Sequence, residues 1–117
     1  MKHGKRRVVL TGMGVVSPNG VGKQAFWDAL KAGRTGIGRI TMFDASEYNT
    51  RIAGEVVDFV PEKYIDEKKA KRMGRFAQFG LACAKIAVED AGFLPMNDDP
   101  RRVGVVVGMA TQGVDII

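Results

Sequence analysis

Apolar residues fill Val8 to Val16 with only Thr11, Gly12 and Gly14 intervening, and so continuous a run predicts a strand covered on both faces. Pro18-Asn19-Gly20 then supplies turn residues. From Lys23 to Ala32 the apolar positions Phe26, Trp27, Ala29 and Leu30 share one helical face, and Gly33 is placed to end that helix. Between Arg34 and Phe59 glycines and polar residues break the pattern, leaving a short extended piece at Arg51 to Val57. Pro61, tolerated at a first helical position, opens a charged helical segment running to Met73. A longer helix is predicted from Arg75 to Ala91, stopped by Gly92, and a strand from Arg102 to Met109 follows the turn Asp98-Asp99-Pro100. This order of elements is that of an α/β chain.

The helix over 75–91 carries the most information about context. Gln78, Lys85 and Glu89 form one narrow polar stripe, while Phe76, Phe79, Leu81, Cys83, Ile86 and Val88 surround the rest. Gly80, Ala82, Ala84, Ala87 and Ala91 allow neighbouring elements a close approach, so the helix is expected to be buried on most sides. The chain has too few other elements to cover that helix and two strands on both faces. By itself it is therefore expected to be marginally stable or self-associating.

Specific residues give the pattern a family. Arg6-Arg7-Val8-Val9-Leu10-Thr11-Gly12-Met13-Gly14-Val15-Val16-Ser17-Pro18-Asn19-Gly20 resembles the start of a β-ketoacyl-(acyl carrier protein) synthase of the chain-elongating type II class. The resemblance continues through Phe26-Trp27-Asp28-Ala29-Leu30, Phe43-Asp44-Ala45-Ser46-Glu47-Tyr48, Ile52-Ala53-Gly54-Glu55-Val56, Lys71-Arg72-Met73, Arg75-Phe76-Ala77-Gln78-Phe79 and Glu89-Asp90-Ala91-Gly92. It implies a thiolase-like fold of helix, sheet, helix, sheet and helix layers, with residues 1–117 supplying part of the N-terminal half of an incomplete synthase domain. The uncapped apolar run Val114-Asp115-Ile116-Ile117 fits a cut end. The implied activity is condensation of an acyl thioester with malonyl-acyl carrier protein in fatty acid or polyketide synthesis, without a cofactor. The implied partners are acyl carrier protein and a second copy of the enzyme. The family's nucleophilic cysteine and two histidines would lie downstream, so no catalytic residue is assigned within this segment, and the 117 residues alone are expected to be inactive.

Composition narrows the alternatives. With 45% apolar and 26% charged residues in 117, the balance is that of a globular protein. No run approaches the roughly 18 apolar residues of a membrane span, and the basic start lacks the apolar core and cleavage site of a secretory signal. A cytoplasmic protein without a membrane partner is the expectation. Cys83, the single cysteine, cannot form an internal disulfide and reads as a core thiol within a helix. His3, the single histidine, lies in the basic leader, so these two residue types assemble no metal site.

Two other function classes arise from the residues. Gly12-Met13-Gly14-Val15-Val16-Ser17 after a strand mimics a dinucleotide fingerprint, but Ser17 replaces the third glycine and Pro18 follows, so no helix starts where a pyrophosphate needs one. The formal charge of +5 raises nucleic-acid binding. Its excess sits between Lys63 and Arg75, where Lys63, Lys68, Lys69, Lys71, Arg72 and Arg75 face Asp66 and Glu67. No nucleic-acid module or interleaved aromatic platform accompanies them.

Lys68, Lys71 and Arg72 are spaced to share one helical face, which is expected to be continuously positive. In the resembling synthases a basic patch at the matching positions receives the acidic helix of the carrier protein, whereas Lys69 lies about 100° round the helix from Lys68. Two departures stand out. Gly74 replaces the family's usual Asp, removing a side-chain cap at a cost of a few tenths of a kcal/mol. In Gly108-Met109-Ala110-Thr111-Gln112-Gly113, Thr111 stands where the family commonly has a branched apolar residue bordering the acyl pocket.

Overall fold

A computed structural model describes residues 4, 6–93 and 99–110. The chain begins with a small hairpin, β1 (Val16–Ser17) against β2 (Gly20–Val21), antiparallel with Val16 opposite Val21. The Ser17 hydroxyl fixes its Pro18-Asn19 turn, donating to the Gly20 carbonyl at 3.1 Å and accepting from the Asn19 amide at 3.2 Å. Helix α1 (Lys23–Lys31) follows, with Ala29 buried. Gly33, at φ 62°, turns the chain out of it while the Arg34 amide closes on the Ala29 carbonyl at 2.9 Å. Strands β3 (Ile37–Arg39) and β4 (Ile52–Gly54) form a second antiparallel pair, Gly38 opposite Ala53. The Glu55 carboxylate ties down the connecting loop by accepting from the Thr41 hydroxyl at 2.7 Å and from the Thr41 and Met42 amides, contacts that lower its pKa.

The second half is helical. A 3₁₀ turn at Pro61–Lys63 leads to α2 (Glu67–Ala70) and α3 (Arg75–Asp90). Phe59, Ile65, Ala70 and Ala82 are buried here. Phe59 meets the Phe79 ring edge-on with centroids 5.0 Å apart and stacks on Tyr64 at 5.9 Å. Gly92, at φ 61°, follows the end of α3.

The two glycines of the opening run are needed for close approach. A Cβ on Gly12 would stand 2.2 Å from the Ala87 carbonyl oxygen, and one on Gly14 would stand 2.0 Å from that of Cys83. The segment thus lies directly on the α3 backbone. Asp90 fastens it there by accepting from the Lys23 ammonium and from the Met13 amide at 3.1 Å, which hold its pKa below the ordinary aspartate value.

Four expectations are corrected. Val8 to Val16 is not a strand: pairing begins only at Val16, and Leu10 is 89% exposed. Val103 to Met109 has no ladder partner either, with Val106 99% exposed, and Arg102 ends a 3₁₀ turn, Pro100–Arg102. Among the described residues the only ladders are β1 with β2 and β3 with β4, and neither run, short of Val16, joins them, so its backbone groups stay without strand partners. The segment from Pro61 to Met73 is not one helix, because Asp66, with ψ 135°, breaks it and caps a new start by accepting from the Lys69 amide at 3.2 Å. Of α3 only Ala82 is buried, since little of the described chain reaches its other faces.

The chain therefore exposes 10228 Å², against about 6,200 Å² for a compact monomer of its mass. Its radius of gyration, 17.9 Å, likewise exceeds the roughly 13 Å of a compact domain this long. The surplus area is of the order that obligate interfaces bury.

Candidate functional site

The basic segment is held from both ends. At its front Asp66 caps α2. The Lys71 amide bonds the Glu67 carbonyl at 3.1 Å, and the Arg72 and Met73 amides bond the Lys69 and Ala70 carbonyls at 3.0 and 3.1 Å, so α2 tightens into one further turn before Gly74. Lys68 stands in α2 and Lys71 and Arg72 on that turn, all three exposed. Lys71 pairs with Glu67 at 2.5 Å, so the face is not continuously positive as expected: a carboxylate one turn back offsets part of its charge. Lys68 and Arg72 make no ion pair among the described residues.

Behind this turn α3 supplies the scaffold. Gly74 caps α3 through its backbone alone, as expected of a glycine there: its carbonyl accepts the Ala77 and Gln78 amides at 3.0 and 3.1 Å, and no side chain contributes. Gln78 donates through Nε2 to the Ala70 carbonyl at 2.9 Å and the Met73 carbonyl at 3.3 Å. Lys85 donates to the Tyr64 carbonyl. Arg75 donates to the Val56 carbonyl at 2.5 Å, and its guanidinium lies 5.1 and 5.8 Å from the Phe79 and Phe59 ring centroids. Arg75, Gln78 and Lys85 fall within about 80° of one another round the helix. Two members of the polar stripe read from the sequence, Gln78 and Lys85, thus hold the basic segment in place. Sequence periodicity revealed the stripe, but what it faces is set by a tertiary contact.

The remaining candidates separate clearly. Cys83 is half-buried in α3, with its carbonyl against Gly14, and no histidine is among the described residues beside it. His3 and Thr111 lie outside the described residues. The Gly12-Gly14 face is filled by α3, and α1 begins only at Lys23, beyond the hairpin, so the glycines present no helix N-terminus to a phosphate. No group of three or more His, Cys, Asp or Glu side chains able to hold a metal occurs among the described residues. No helix there is long and apolar enough to cross a membrane. Two of the six cations between Lys63 and Arg75 are already engaged, Lys71 by Glu67 and Arg75 by Val56 and two rings.

Comparison with known proteins identifies the family. Residues 5–115 match the family described as Beta-ketoacyl synthase, N-terminal domain. The chain is 43% identical to the tetracenomycin polyketide synthase ketoacyl synthase alpha subunit of Streptomyces glaucescens, over 97% of this chain and 28% of that protein. It is 42% identical to the 3-oxoacyl-(acyl-carrier-protein) synthase 2 of Vibrio harveyi, over 97% of this chain and 27% of that one. A solved structure, the ishigamide ketosynthase/chain length factor, superimposes with a TM-score of 0.73 at 41% identity, covering 80% of this chain and 23% of its own. The chain thus spans about a quarter of the length of these relatives. Its α/β arrangement is part of the layered thiolase-like fold.

Proposed function

The chain belongs to the β-ketoacyl synthase family, and from that premise we propose that residues 1–117 are the N-terminal portion of a chain-elongating condensing enzyme and carry part of its docking surface for acyl carrier protein. The observation that carries the docking role is the exposed set Lys68, in α2, and Lys71 and Arg72, on the turn that Gln78 fastens to α3. Three exposed cations on α2 and its firmly held following turn, partly offset by Glu67, suit an acidic helix, because opposed fields raise the encounter rate and set orientation while each rim charge adds modest affinity.

The proposed reaction has two stages. A cysteine thiolate outside this segment attacks the acyl thioester of the carrier protein, forming an enzyme thioester and releasing the carrier's thiol. Decarboxylation of malonyl-carrier protein then releases CO₂ and leaves an enolate equivalent. Its carbon attacks the enzyme thioester, expels the cysteine thiolate and yields a 3-ketoacyl-carrier protein two carbons longer. Two imidazoles and an oxyanion hole outside these residues stabilise the charge. The contribution of residues 1–117 is positional: they receive the carrier and help build the core on which the reacting groups stand. The condensation draws on no cofactor. A cytoplasmic location and a two-copy assembly complete the proposal.

Thr111 is proposed to border the acyl pocket, where Thr111→Ile changes the ratio of rates on short and long acyl chains. Fatty acid and polyketide relatives match at nearly equal identity, 42% and 43%, so substrate class is left to assay. The direct test supplies acyl- and malonyl-carrier protein to a full-length synthase bearing this sequence and looks for 3-ketoacyl product by mass spectrometry. Product is expected from the full-length enzyme and none from the 117 residues alone; the reverse on either count contradicts the proposal.

A further inference from the structure

We propose that Gln78 is a positioning residue for carrier recognition, one that acts through the backbone of the basic turn and touches neither carrier nor acyl chain. The inference rests on the docking role proposed for that turn. Helix α2 has only four residues, and so short a helix does not sustain itself. Its last carbonyls are met by the amides of the turn that follows, Lys69 and Ala70 accepting from Arg72 and Met73, so the helix and that turn stand or loosen together. Asp66 secures its front, and the exposed Lys71–Glu67 pair, with side chains 71% and 64% accessible, contributes little to holding it.

At the rear, Gln78 is the side chain that reaches the end carbonyls among the described residues. One amide nitrogen bonds both Ala70, the last residue of α2, and Met73, the last residue before Gly74. Lys71 and Arg72 lie between those two anchor points. The directions in which they leave the surface are therefore fixed by a donor on the next helix. Without it the two cations remain present and charged, but their geometry spreads, and docking must order the turn at the expense of affinity.

The test compares KM and kcat of the full-length synthase on acyl-carrier protein and on a small acyl N-acetylcysteamine thioester that bypasses docking. Gln78→Met keeps length and volume and removes the donor. It is expected to raise KM for acyl-carrier protein about three- to tenfold, while kcat and the KM for the small thioester change less than twofold. Hydrogen exchange at the Arg72 and Met73 amides should accelerate. Gln78→Lys, which restores a donor, should return the KM ratio to near the parent value. Equal losses on both substrates, or failure of Gln78→Met to fold, would assign Gln78 to general stability and overturn the inference. Lys71→Glu run in parallel separates the two proposals. A carrier-selective loss for Lys71→Glu with none for Gln78→Met overturns the positioning role and leaves docking standing. No selective loss for either overturns both.

Discussion

The segment from Phe59 to Asp90 mixes apolar with many charged residues and the two valine-rich runs, Val8–Leu10 and Val105–Val107, are wholly apolar, yet it is the mixed segment that buries apolar side chains. In the first, Phe59 is 5% exposed and Ala82 fully buried; in the second, Val8 is 88% and Val105 87% exposed. The difference lies in where the hydrogen-bond partners are. A helix bonds each amide to a carbonyl four residues back, so α3 can form from its own sequence and then collect Phe59, Tyr64 and Ile65 from the preceding stretch. A strand must find its partner at a distance, and among the described residues neither run pairs with the two short hairpins or with the other run. The helical unit is thus a locally completed piece, and the valine runs are surfaces prepared for something else.

That contrast can be broken where it is strongest. Phe59→Ala removes the ring that joins Tyr64, Phe79 and Arg75, and a loss of about 3–5 kcal/mol is expected in a urea titration of the full-length synthase. A change below about 1 kcal/mol would show that the aromatic cluster does not organise the unit. Gly14→Ala attacks the junction between the two regions, because its new methyl meets the Cys83 carbonyl. The backbone must move apart, at about 1–3 kcal/mol, read as a lowered urea midpoint; an unchanged midpoint would mean the opening run is not seated on α3.

Smaller effects sharpen the same picture. Asp90 joins that run and α1 to α3, and its pKa is lowered, first by the Lys23 hydrogen bond and then by the Met13 amide. A carboxylate with a depressed folded-state pKa adds stability above its unfolded value and loses it as pH falls through the folded one. Asp90→Asn should therefore lower the urea midpoint at neutral pH and flatten its decline on acidification; parallel pH curves for the two proteins would remove Asp90 from the joint. Val106→Asp, at a position 99% exposed, should leave the stability of the 117-residue chain within about 0.5 kcal/mol. A larger loss would show that Val106 is already covered.

What the sequence made legible follows the same division. Helices α1 and α3 were readable because their periodicity is local and Gly33 and Gly92 mark their ends. Strand β4 fell within the extended piece read at 51–57. The expected strands at Val8 and Arg102 had the right residues without a partner, and composition alone cannot supply one. Asp66 was visible as a capping residue, yet the continuous helix read through it ignored that signal. Of the docking surface, the three cations were legible from their spacing. The Glu67 partner of Lys71 was legible as a neighbour four residues away, but the grip of Gln78 on Ala70 and Met73 depends on how α3 lies against α2.

The central claim, that this chain presents a basic turn to an acidic carrier, is tested most directly by the double change Lys68→Glu and Lys71→Glu in the full-length synthase. KM for acyl-carrier protein should rise far more than KM for a small acyl thioester, and the gap should narrow as added salt shortens the screening length from about 8 Å at physiological ionic strength to about 3 Å at 1 M. Equal losses on both substrates would make the turn a structural element, and no loss on either would contradict the docking role outright.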